Sequence, residues 1–356
     1  MIGIFAAYGF TGSLIAREFS RAPYDLRLIG RSLEKLKPLA AEMDQTPELV
    51  QADAREPAEV ARAVDGLTVL INCAGPFSEM GEGVLCQAVN RHVNYLDTTG
   101  EQSFIRLALE KYGPIAGNCG LAIVPACAFE YALGDTAVAL AAEPFRDCDA
   151  ISVAYKIAGF GSSRGTKKSI LRALGERGYA RKNGAAIEIS NLTNEGVDFD
   201  KEGMLPGYPF PGGEVFMSPL HVSVRDLSTF MVFPGPGLIV QTVNRMLPVL
   251  NRGPLGFLAS WLADRSQFGP DQTQREATKF RIRCEARSGG DVRTVMVEGR
   301  DPYGLTAKIA SAIGRLLHDG KAESSGGLSP AMVAGPHKIV DLVSAEGVTF
   351  SVRHDL

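Results

Sequence analysis

The chain has 356 residues, about twice the size of a typical domain, so we expect two domains. Apolar residues make up 45% and charged residues 22% of the sequence, which excludes a disordered chain, a coiled coil and a collagen-like fibre. The net charge of -3 gives no reason to expect binding to nucleic acid.

Cysteine and histidine spacings indicate no metal site. The 6 Cys form no CxxC pair and the 5 His show no ligand spacing, so we expect free thiols in a reducing compartment and no bound metal. The first residues lack the basic stretch of a signal peptide, and no apolar run of about 18 residues indicates a spanning helix. We therefore expect a cytoplasmic protein, and peripheral attachment to a membrane stays open.

Residues 1–130 alternate between short apolar runs and helical patterns. Strands are predicted at Ile2–Ala7, Leu26–Ile29, Glu48–Asp53, Leu67–Asn72, Val93–Asp97 and Leu121–Pro125. Helices are predicted after the first strand and at Leu33–Leu39, Pro57–Val64, Gly83–Asn90 and Gln102–Gly113. This alternation predicts an α/β fold, a Rossmann-like doubly wound parallel sheet with helices on both faces.

The turn after the first strand contains two glycines of a dinucleotide-binding fingerprint. Gly9 and Gly12 stand at the second and third glycine positions, and Ala6 stands at the first. Glycine lets the backbone approach a pyrophosphate, whose charge the helix N-terminus stabilises. The methyl group of Ala6 matters little at negative φ and much at positive φ. The alternative is a tight turn that serves packing only.

The end of the second strand favours NADPH over NADH. An NAD site usually has Asp or Glu there to bind the ribose 2′-hydroxyl. This chain has Arg31 and Ser32, with Lys35 one turn later, and arginine can bind a 2′-phosphate through two N–H groups. The alternative is a solvated surface arginine.

Several stretches together resemble a known family. They are Ala7–Gly12, Gly30–Leu36, Asn72–Phe77, Tyr95–Glu101, Pro125–Glu130, Gly299–Gly304 and Leu328–Ala331. In these stretches the chain resembles the saccharopine dehydrogenase-like oxidoreductases, and it looks closest to the bacterial branch that includes the trans-acting enoyl reductases of mycobacterial lipid synthesis. The resemblance is strong in residues 1–130 and patchy from 131 to 290.

The resemblance implies an NADP(H) site. The residues implied are Ala7, Tyr8, Gly9, Phe10, Thr11, Gly12, Arg31, Ser32, Lys35, Asp53, Asn72, Cys73, Ala74, Gly75, Pro76 and Phe77. It also implies that Asp97–Glu101 and Cys127–Glu130 face the nicotinamide. The chain departs from the family pattern at Ala6 and Ala128, where glycine is common, and at Glu130, where Asp is usual.

The catalytic proton donor is not decided by the sequence. None of the 9 tyrosines has a lysine four residues later, which argues against the Tyr-x-x-x-Lys pair of short-chain reductases. The predicted catalytic candidates are Tyr95, Glu101, Cys127 and Glu130, and Tyr131 and Tyr155 are further candidates.

Residues 131–328 are predicted to form an α+β substrate and dimerisation domain. Its strand patterns are Ile151–Ile157 and a hairpin of Phe280–Ala286 with Arg293–Gly299. Helices are expected at Lys167–Gly178, Thr306–Leu317 and Pro330–Val343, and the C-terminal segment 329–356 is expected to pack back on the first domain.

Within the second half, Asn183–Pro270 is rich in Gly, Pro and apolar residues and contains two amphipathic pieces, Leu238–Leu250 and Leu255–Leu262. Three interpretations stay open: a homodimer interface or helical layer, a lid over an acyl substrate, and a segment lying in a membrane interface.

The sequence thus predicts an NADPH-dependent reductase of a small hydrophobic substrate, an enoyl or keto group on an acyl or polyketide-derived chain that could be carrier- or lipid-linked. The alternatives are a saccharopine-type imine or amino-acid oxidoreductase and a non-catalytic NADPH- or lipid-binding protein.

Overall fold

The computed structural model describes residues 1–20, 22–159, 178–189, 194–232 and 269–355. They group into two compact units. Unit 1 comprises Met1–Ala132 and Tyr303–Val343, and unit 2 comprises Leu133–Pro302 and Ser344–Leu356.

The strands are named in chain order. They are β1 Ile2–Phe5, β2 Leu26–Gly30, β3 Glu48–Gln51, β4 Val69–Asn72, β5 Asn94–Asp97, β6 Ala122–Val124, β7 Cys148–Ala158, β8 Tyr179–Lys182, β9 Ala185–Glu188, β10 Glu195–Asp198, β11 Met204–Pro209, β12 Val224–Val232, β13 Lys279–Ser288, β14 Asp291–Arg300, β15 Gly326–Gly327 and β16 Thr349–Asp355.

The α-helices are named in the same way. They are α1 Phe10–Phe19, α2 Leu33–Ala41, α3 Pro57–Val64, α4 Phe77–Asn90, α5 Gln102–Leu107, α6 Gly113–Asn118, α7 Phe129–Ala142, α8 Glu214–Met217, α9 Gln272–Ala277, α10 Pro302–His318, α11 Pro330–Ala334 and α12 Pro336–Ser344. A π-helical turn, Ala108–Tyr112, joins α5 to α6.

Unit 1 contains a parallel sheet in the order β15-β6-β5-β4-β1-β2-β3. Every pairing in it is parallel, and strands β1 and β4 are buried along their whole length. Burial on both faces explains the absence of polar alternation in these strands. The predicted Rossmann-like parallel sheet is confirmed.

Most unit 1 strands are one or two residues shorter than predicted: β1, β3 and β6 end earlier, and β4, β5 and β6 begin later. Strand β1 ends at Phe5, because Ala6 adopts the left-handed region with φ 57°. Helix α4 begins at Phe77 and not at Gly83, because a buried carboxylate binds its first N–H groups, as described below.

Unit 2 contains a mixed sheet in the order β10-β11-β12-β7-β13-β14-β16, and β8 pairs with β12 and β9. Strand β7 pairs in parallel with β12 and antiparallel with β13, and β13 with β14 forms the predicted hairpin. The predicted second, α+β domain is confirmed as a fold, and the structure shows that its sheet is mixed.

The C-terminal part differs from the predicted arrangement. One terminal helix was expected over 330–343, but Gly335 with φ 81° separates α11 from α12, which starts at Pro336. Strand β16 then pairs with β14, so residues 344–356 group with unit 2, whereas the sequence placed 329–356 with the first domain. Helix α10 groups with unit 1 from Tyr303 onward.

Other predictions fall outside the described residues. These are almost all of the helix Lys167–Gly178 and the amphipathic pieces Leu238–Leu250 and Leu255–Leu262. Of the helices within the described ranges, none has the length and apolar character to cross a membrane.

The left-handed conformation of Ala6 predicts a stabilising substitution. Ala6→Gly should raise the free energy of unfolding by about 0.5–1 kcal/mol, because relief of left-handed strain exceeds the entropy that glycine adds to the unfolded chain. Ala61→Gly within α3 is the control and should lower stability by about 1 kcal/mol. Urea unfolding measures both, and a loss of stability in Ala6→Gly would contradict the assigned backbone conformation.

A buried polar pair in unit 2 depends on a helical glycine. The Tyr155 hydroxyl donates to the buried carboxylate of Glu214, and a Cβ on Gly134 of α7 would overlap both groups. The absent side chain at Gly134 therefore provides the space in which the pair meets.

Gly134→Ala should destabilise the protein by about 1–3 kcal/mol through overpacking, although alanine is the better helix former. Gly83→Ala in α4 is the matched helical control, because its Cβ would lie 3.6 Å from the nearest atom, and it should be neutral or stabilising. Equal unfolding midpoints for the two variants would contradict the described packing.

Candidate cofactor site and its surroundings

The candidate site lies where the parallel strands of unit 1 end. Strand β1 stands between β2 and β4, so the chain reverses its direction across the sheet at this point. In open α/β sheets ligands bind at the carboxyl ends of the strands beside such a reversal. The turns after β1, β2, β4, β5 and β6 all reach this edge.

The turn from β1 into α1 is closed by backbone contacts. The Gly9 N–H donates to the Ala6 carbonyl oxygen at 2.8 Å, and a Cβ on Gly12 would lie 2.5 Å from the same oxygen. Gly9 is the N-cap of α1 and has no side chain to accept from the first-turn N–H groups. This is the backbone arrangement that a pyrophosphate requires, and it fits the predicted cofactor residues Ala7–Gly12.

The methyl group of Ala6 does not open this turn. The residue adopts φ 57°, the left-handed case in which its methyl group carries a strain cost, yet the Ala6 carbonyl still closes the turn. The departure from glycine therefore changes local stability and leaves the helix N-terminus in place.

The end of β2 presents a cationic surface. A Cβ on Gly30 would lie 2.6 Å from the Tyr8 ring, so this ring covers the end of the strand, and the Lys35 ammonium lies 5.8 Å from the ring centroid. Arg31 is exposed and has no ion pair with any residue that the structure describes. Ser32 is the N-cap of α2, but its hydroxyl makes no capping hydrogen bond.

Asp53 lies after β3, the edge strand next to β2. One of its carboxylate oxygens accepts from the Arg55 N–H at 3.0 Å, and its own N–H donates to Glu59 at 2.9 Å. These bonds fix the loop after β3.

The end of β4 carries a buried amide. The Asn72 side chain donates to the Tyr95 hydroxyl at 3.0 Å and accepts from the Ala74 N–H at 2.9 Å. Burial raises the pKa of the next residue, Cys73, to about 12. The stretch from Ala74 to Phe77 then leads directly into α4.

Glu101 has a structural partner on the neighbouring helix. Its two carboxylate oxygens accept from the N–H groups of Phe77 at 2.9 Å and Ser78 at 2.8 Å. A carboxylate at this position stabilises the amino end of α4, both by hydrogen bonds and through the helix dipole. Among the predicted catalytic candidates, Glu101 is therefore explained by a structural role, because its carboxylate stabilises the start of α4.

Asp97 holds two loops together. Its Oδ1 accepts from the N–H groups of Thr99 and Ala126, each at 2.9 Å, and its carbonyl accepts from the Cys127 N–H at 2.7 Å. Its Oδ2 is buried and accepts no N–H group among the described residues, and the Tyr95 hydroxyl is the side-chain donor beside the carboxyl. Burial raises the pKa of this carboxyl to about 7.

Tyr95 and Asp97 point to the same face of β5, because they are two residues apart. Burial, followed by the charge of Asp97, raises the pKa of the Tyr95 phenol well above its usual value. The sequence did not single out Asp97 as an ionisable candidate. The available signal was its place as the last residue of the predicted strand Val93–Asp97.

The remaining candidates lie after β6. The Cys127 thiol is buried and donates to the Val124 carbonyl at 3.4 Å, and burial raises its pKa well above the usual value, so it stays a thiol. Burial also raises the pKa of Glu130 to about 7. Its carboxylate would lie 3.6 Å from a Cβ on Gly100, and the Tyr131 hydroxyl donates to the Gly100 carbonyl at 3.3 Å.

The structure therefore brings Asn72, Tyr95, Asp97 and Cys127 into one buried cluster and places Glu130 beside the adjoining loop. Tyr155 belongs to unit 2, where it pairs with Glu214. Groups of His, Cys, Asp and Glu that could hold a metal ion are absent from the described ranges.

Known proteins share sequence with this chain over a limited stretch. A trans-acting enoyl reductase of Mycobacterium ulcerans is 30% identical over 138 residues, which cover 36% of this chain and 32% of that protein. A human saccharopine dehydrogenase-like oxidoreductase is 26% identical over 152 residues, covering 38% of this chain and 35% of that protein. The resemblance to saccharopine dehydrogenase-like oxidoreductases is confirmed. The matched stretch spans about a third of the length of these relatives, and no model of a protein family matches the chain.

Solved structures share the fold across the whole chain. Apo saccharopine dehydrogenase (L-Glu forming) from Saccharomyces cerevisiae has a TM-score of 0.65 at 11% identity, covering 100% of this chain and 99% of that one. Homospermidine synthase from Legionella pneumophila, solved with NAD, has a TM-score of 0.62 at 10% identity, covering 99% and 91%. At sequence identities this low, the structural similarity establishes the fold alone.

The close approach at Gly12 predicts the effect of a side chain there. Gly12→Val should abolish binding of NADPH and NADH, because its Cβ would overlap the Ala6 carbonyl that closes the turn. Gly290→Ala is the control, since a Cβ there meets nothing within 4 Å. Cofactor fluorescence measures binding and circular dichroism reports folding. A folded Gly12→Val variant that binds like the parent would show that the turn serves packing only.

Proposed function

We propose that the protein is an NADP(H)-dependent oxidoreductase that reduces an enoyl or keto group on a hydrophobic acyl or polyketide-derived substrate. The observation that carries the proposal is the edge of the unit 1 sheet, where the glycine turn and the cations after β2 lie at neighbouring strands. The names of the sequence relatives support the oxidoreductase class.

The residues present fit a dinucleotide. The amino end of α1 has no N-cap side chain and the Gly9–Gly12 backbone closes tightly on β1, which leaves the room that a pyrophosphate needs. Asn72 and the loop that follows it would border the ribose and nicotinamide. The cluster that contains Asp97 lies at the same edge of the sheet, since Asp97 stands in register with Asn72.

The preference for NADP(H) rests on three side chains after β2. Arg31 is exposed and has no ion pair within the described residues, the Ser32 hydroxyl is not used for capping, and Lys35 stands one turn later. Together they supply positive charge and hydrogen-bond donors for a 2′-phosphate. The carboxylate that an NAD site usually places at this strand end is missing.

When bound, the nicotinamide supplies hydride chemistry, and the protein's task is to position the substrate and provide a proton. The buried Asn72–Tyr95–Asp97 cluster gives this edge an ionisable carboxyl with a pKa of about 7, which suits proton exchange near neutral pH. Glu101 keeps α4 in place, and Cys127 as a neutral thiol is a poor nucleophile. The arrangement favours direct reduction over covalent catalysis.

The substrate class rests on the names of the relatives and on the composition of the chain. The enoyl reductase name of the relatives agrees with an acyl substrate, and the apolar composition of Asn183–Pro270 agrees with a hydrophobic one. Saccharopine-type imine chemistry is the second candidate, since the yeast saccharopine dehydrogenase shares the fold. A protein that binds NADPH without turnover is the third.

A substrate panel separates these candidates. NADPH oxidation is followed by absorbance with enoyl and keto thioesters in one series and amino acids with keto acids in another. Turnover confined to the thioesters supports the proposal. Turnover confined to the amino-acid series would establish imine chemistry, and tight NADPH binding without any oxidation would favour the binding protein.

The role of Arg31 predicts a selective loss. Arg31→Ala should weaken NADPH binding by about 1.5–3 kcal/mol and leave NADH nearly unchanged, because one charged hydrogen bond to the 2′-phosphate disappears. Lys37→Ala is the matched control, since this cation of the following helix, α2, pairs with Glu34 at 2.7 Å. Fluorescence titration measures both cofactors. Equal NADPH affinity of Arg31→Ala and the parent would refute the assignment.

A further inference from the structure

One carboxyl in the candidate site has an unusual combination of contacts. Oδ1 of Asp97 is held by two backbone N–H groups, whereas Oδ2 is buried, accepts no N–H group among the described residues, and has the neutral Tyr95 hydroxyl as its neighbouring donor. A buried carboxylate without a cationic partner is costly, and protonation removes much of that cost. The position therefore favours a carboxyl that keeps its proton until a positive charge comes near.

The titratable groups around Asp97 do not supply that charge. They are Tyr95 on the same strand, Cys73 after β4, Cys127 after β6 and Glu101 before α5. Each of these groups ionises to an anion, so none of them can stabilise a carboxylate by charge. Asn72 contributes a neutral amide, which binds the Tyr95 hydroxyl.

We propose that Asp97 is the proton-holding group whose ionisation follows the charge of a bound nicotinamide ring: it loses its proton when the oxidised cofactor is bound and keeps it when the reduced cofactor is bound. The inference rests on the proposed function, because it assumes that a nicotinamide cofactor occupies this edge of the sheet.

The physical basis is the charge difference between the two cofactor forms. The oxidised ring carries a positive charge and the reduced ring is neutral. A positive charge near a buried carboxyl favours the carboxylate, and by linkage the carboxylate favours the charged ring to the same extent. In ionising, Asp97 breaks one O–H bond and releases one proton. Reduction of a double bond consumes one proton in addition to the hydride. A carboxyl that gives up its proton when the cofactor becomes oxidised therefore supplies that proton at the step at which a reductase needs it.

The sign of the pH dependence follows. Raising the pH through the pKa of Asp97 produces the carboxylate, which strengthens binding of NADP⁺ relative to NADPH. The ratio of the NADP⁺ dissociation constant to that of NADPH should therefore fall as the pH rises. Titration of the 2′-phosphate is shared by both cofactors and cancels in this ratio.

The experiment measures both dissociation constants between about pH 6 and pH 8.5, by NADPH fluorescence and its displacement by NADP⁺. For the parent the ratio should fall about tenfold, which corresponds to a pKa difference of about one unit between the two complexes. Asp97→Asn keeps an oxygen for the Thr99 and Ala126 N–H groups but cannot ionise, so its ratio should not change with pH.

Glu130→Gln is the matched control, since Glu130 also has a pKa raised to about 7 and lies beside the adjoining loop. Its ratio should follow the pH as in the parent. A second measurement needs no variant. Addition of NADP⁺ to the parent in weak buffer near neutral pH should release protons, and addition of NADPH should not.

The outcomes distinguish the inference from the proposed function. A ratio that does not vary with pH in the parent, with both cofactors bound, overturns the role of Asp97 and leaves the function standing. If the ratio loses its pH dependence in Glu130→Gln and keeps it in Asp97→Asn, the proton-holding group is Glu130 and the role of Asp97 is overturned. Failure of the parent to bind either cofactor overturns both.

Discussion

Parallel pairing across strand β1 is the constraint on which the candidate site depends. Phe5 stands in register with Ile29 on one side and with Asn72 on the other, and Asn72 stands in register with Asp97. Parallel strands end at a common edge, so residues far apart in the chain reach the same place. The turn after β1, the cations after β2 and the Asn72 amide at the end of β4 become neighbours because backbone hydrogen bonds between the strands align them.

Two buried carboxylates at this edge have different roles because their hydrogen-bond partners differ. Glu101 and Asp97 are both buried, which is unfavourable for a charge without compensation. Glu101 receives one N–H group on each oxygen from the start of α4, whereas Asp97 receives both of its N–H groups on one oxygen. The first arrangement completes a helix terminus, and the second ties two loops together and leaves one oxygen able to hold a proton.

Local patterns predicted most of unit 1. Continuous apolar runs such as Val69–Asn72 indicated strands buried on both faces, and the glycine turn indicated the start of α1. Helix α4 was predicted six residues too late, because the carboxylate that stabilises its first turn comes from Glu101, 24 positions beyond Phe77 in the chain. The C-terminal strand β16 was missed, because its pairing partner β14 lies 49 or more residues earlier in sequence.

The sequence by itself determined the alternation of strands and helices, the glycine turn and the positive side chains after β2, because each depends on residues close together in the chain. Tertiary structure decided the conformation of Ala6, the partners of Glu101 and the environment of Asp97. The ionisation of a side chain depends on its burial and on hydrogen bonds between distant segments. Neither can be predicted from the spacing of residues along the chain.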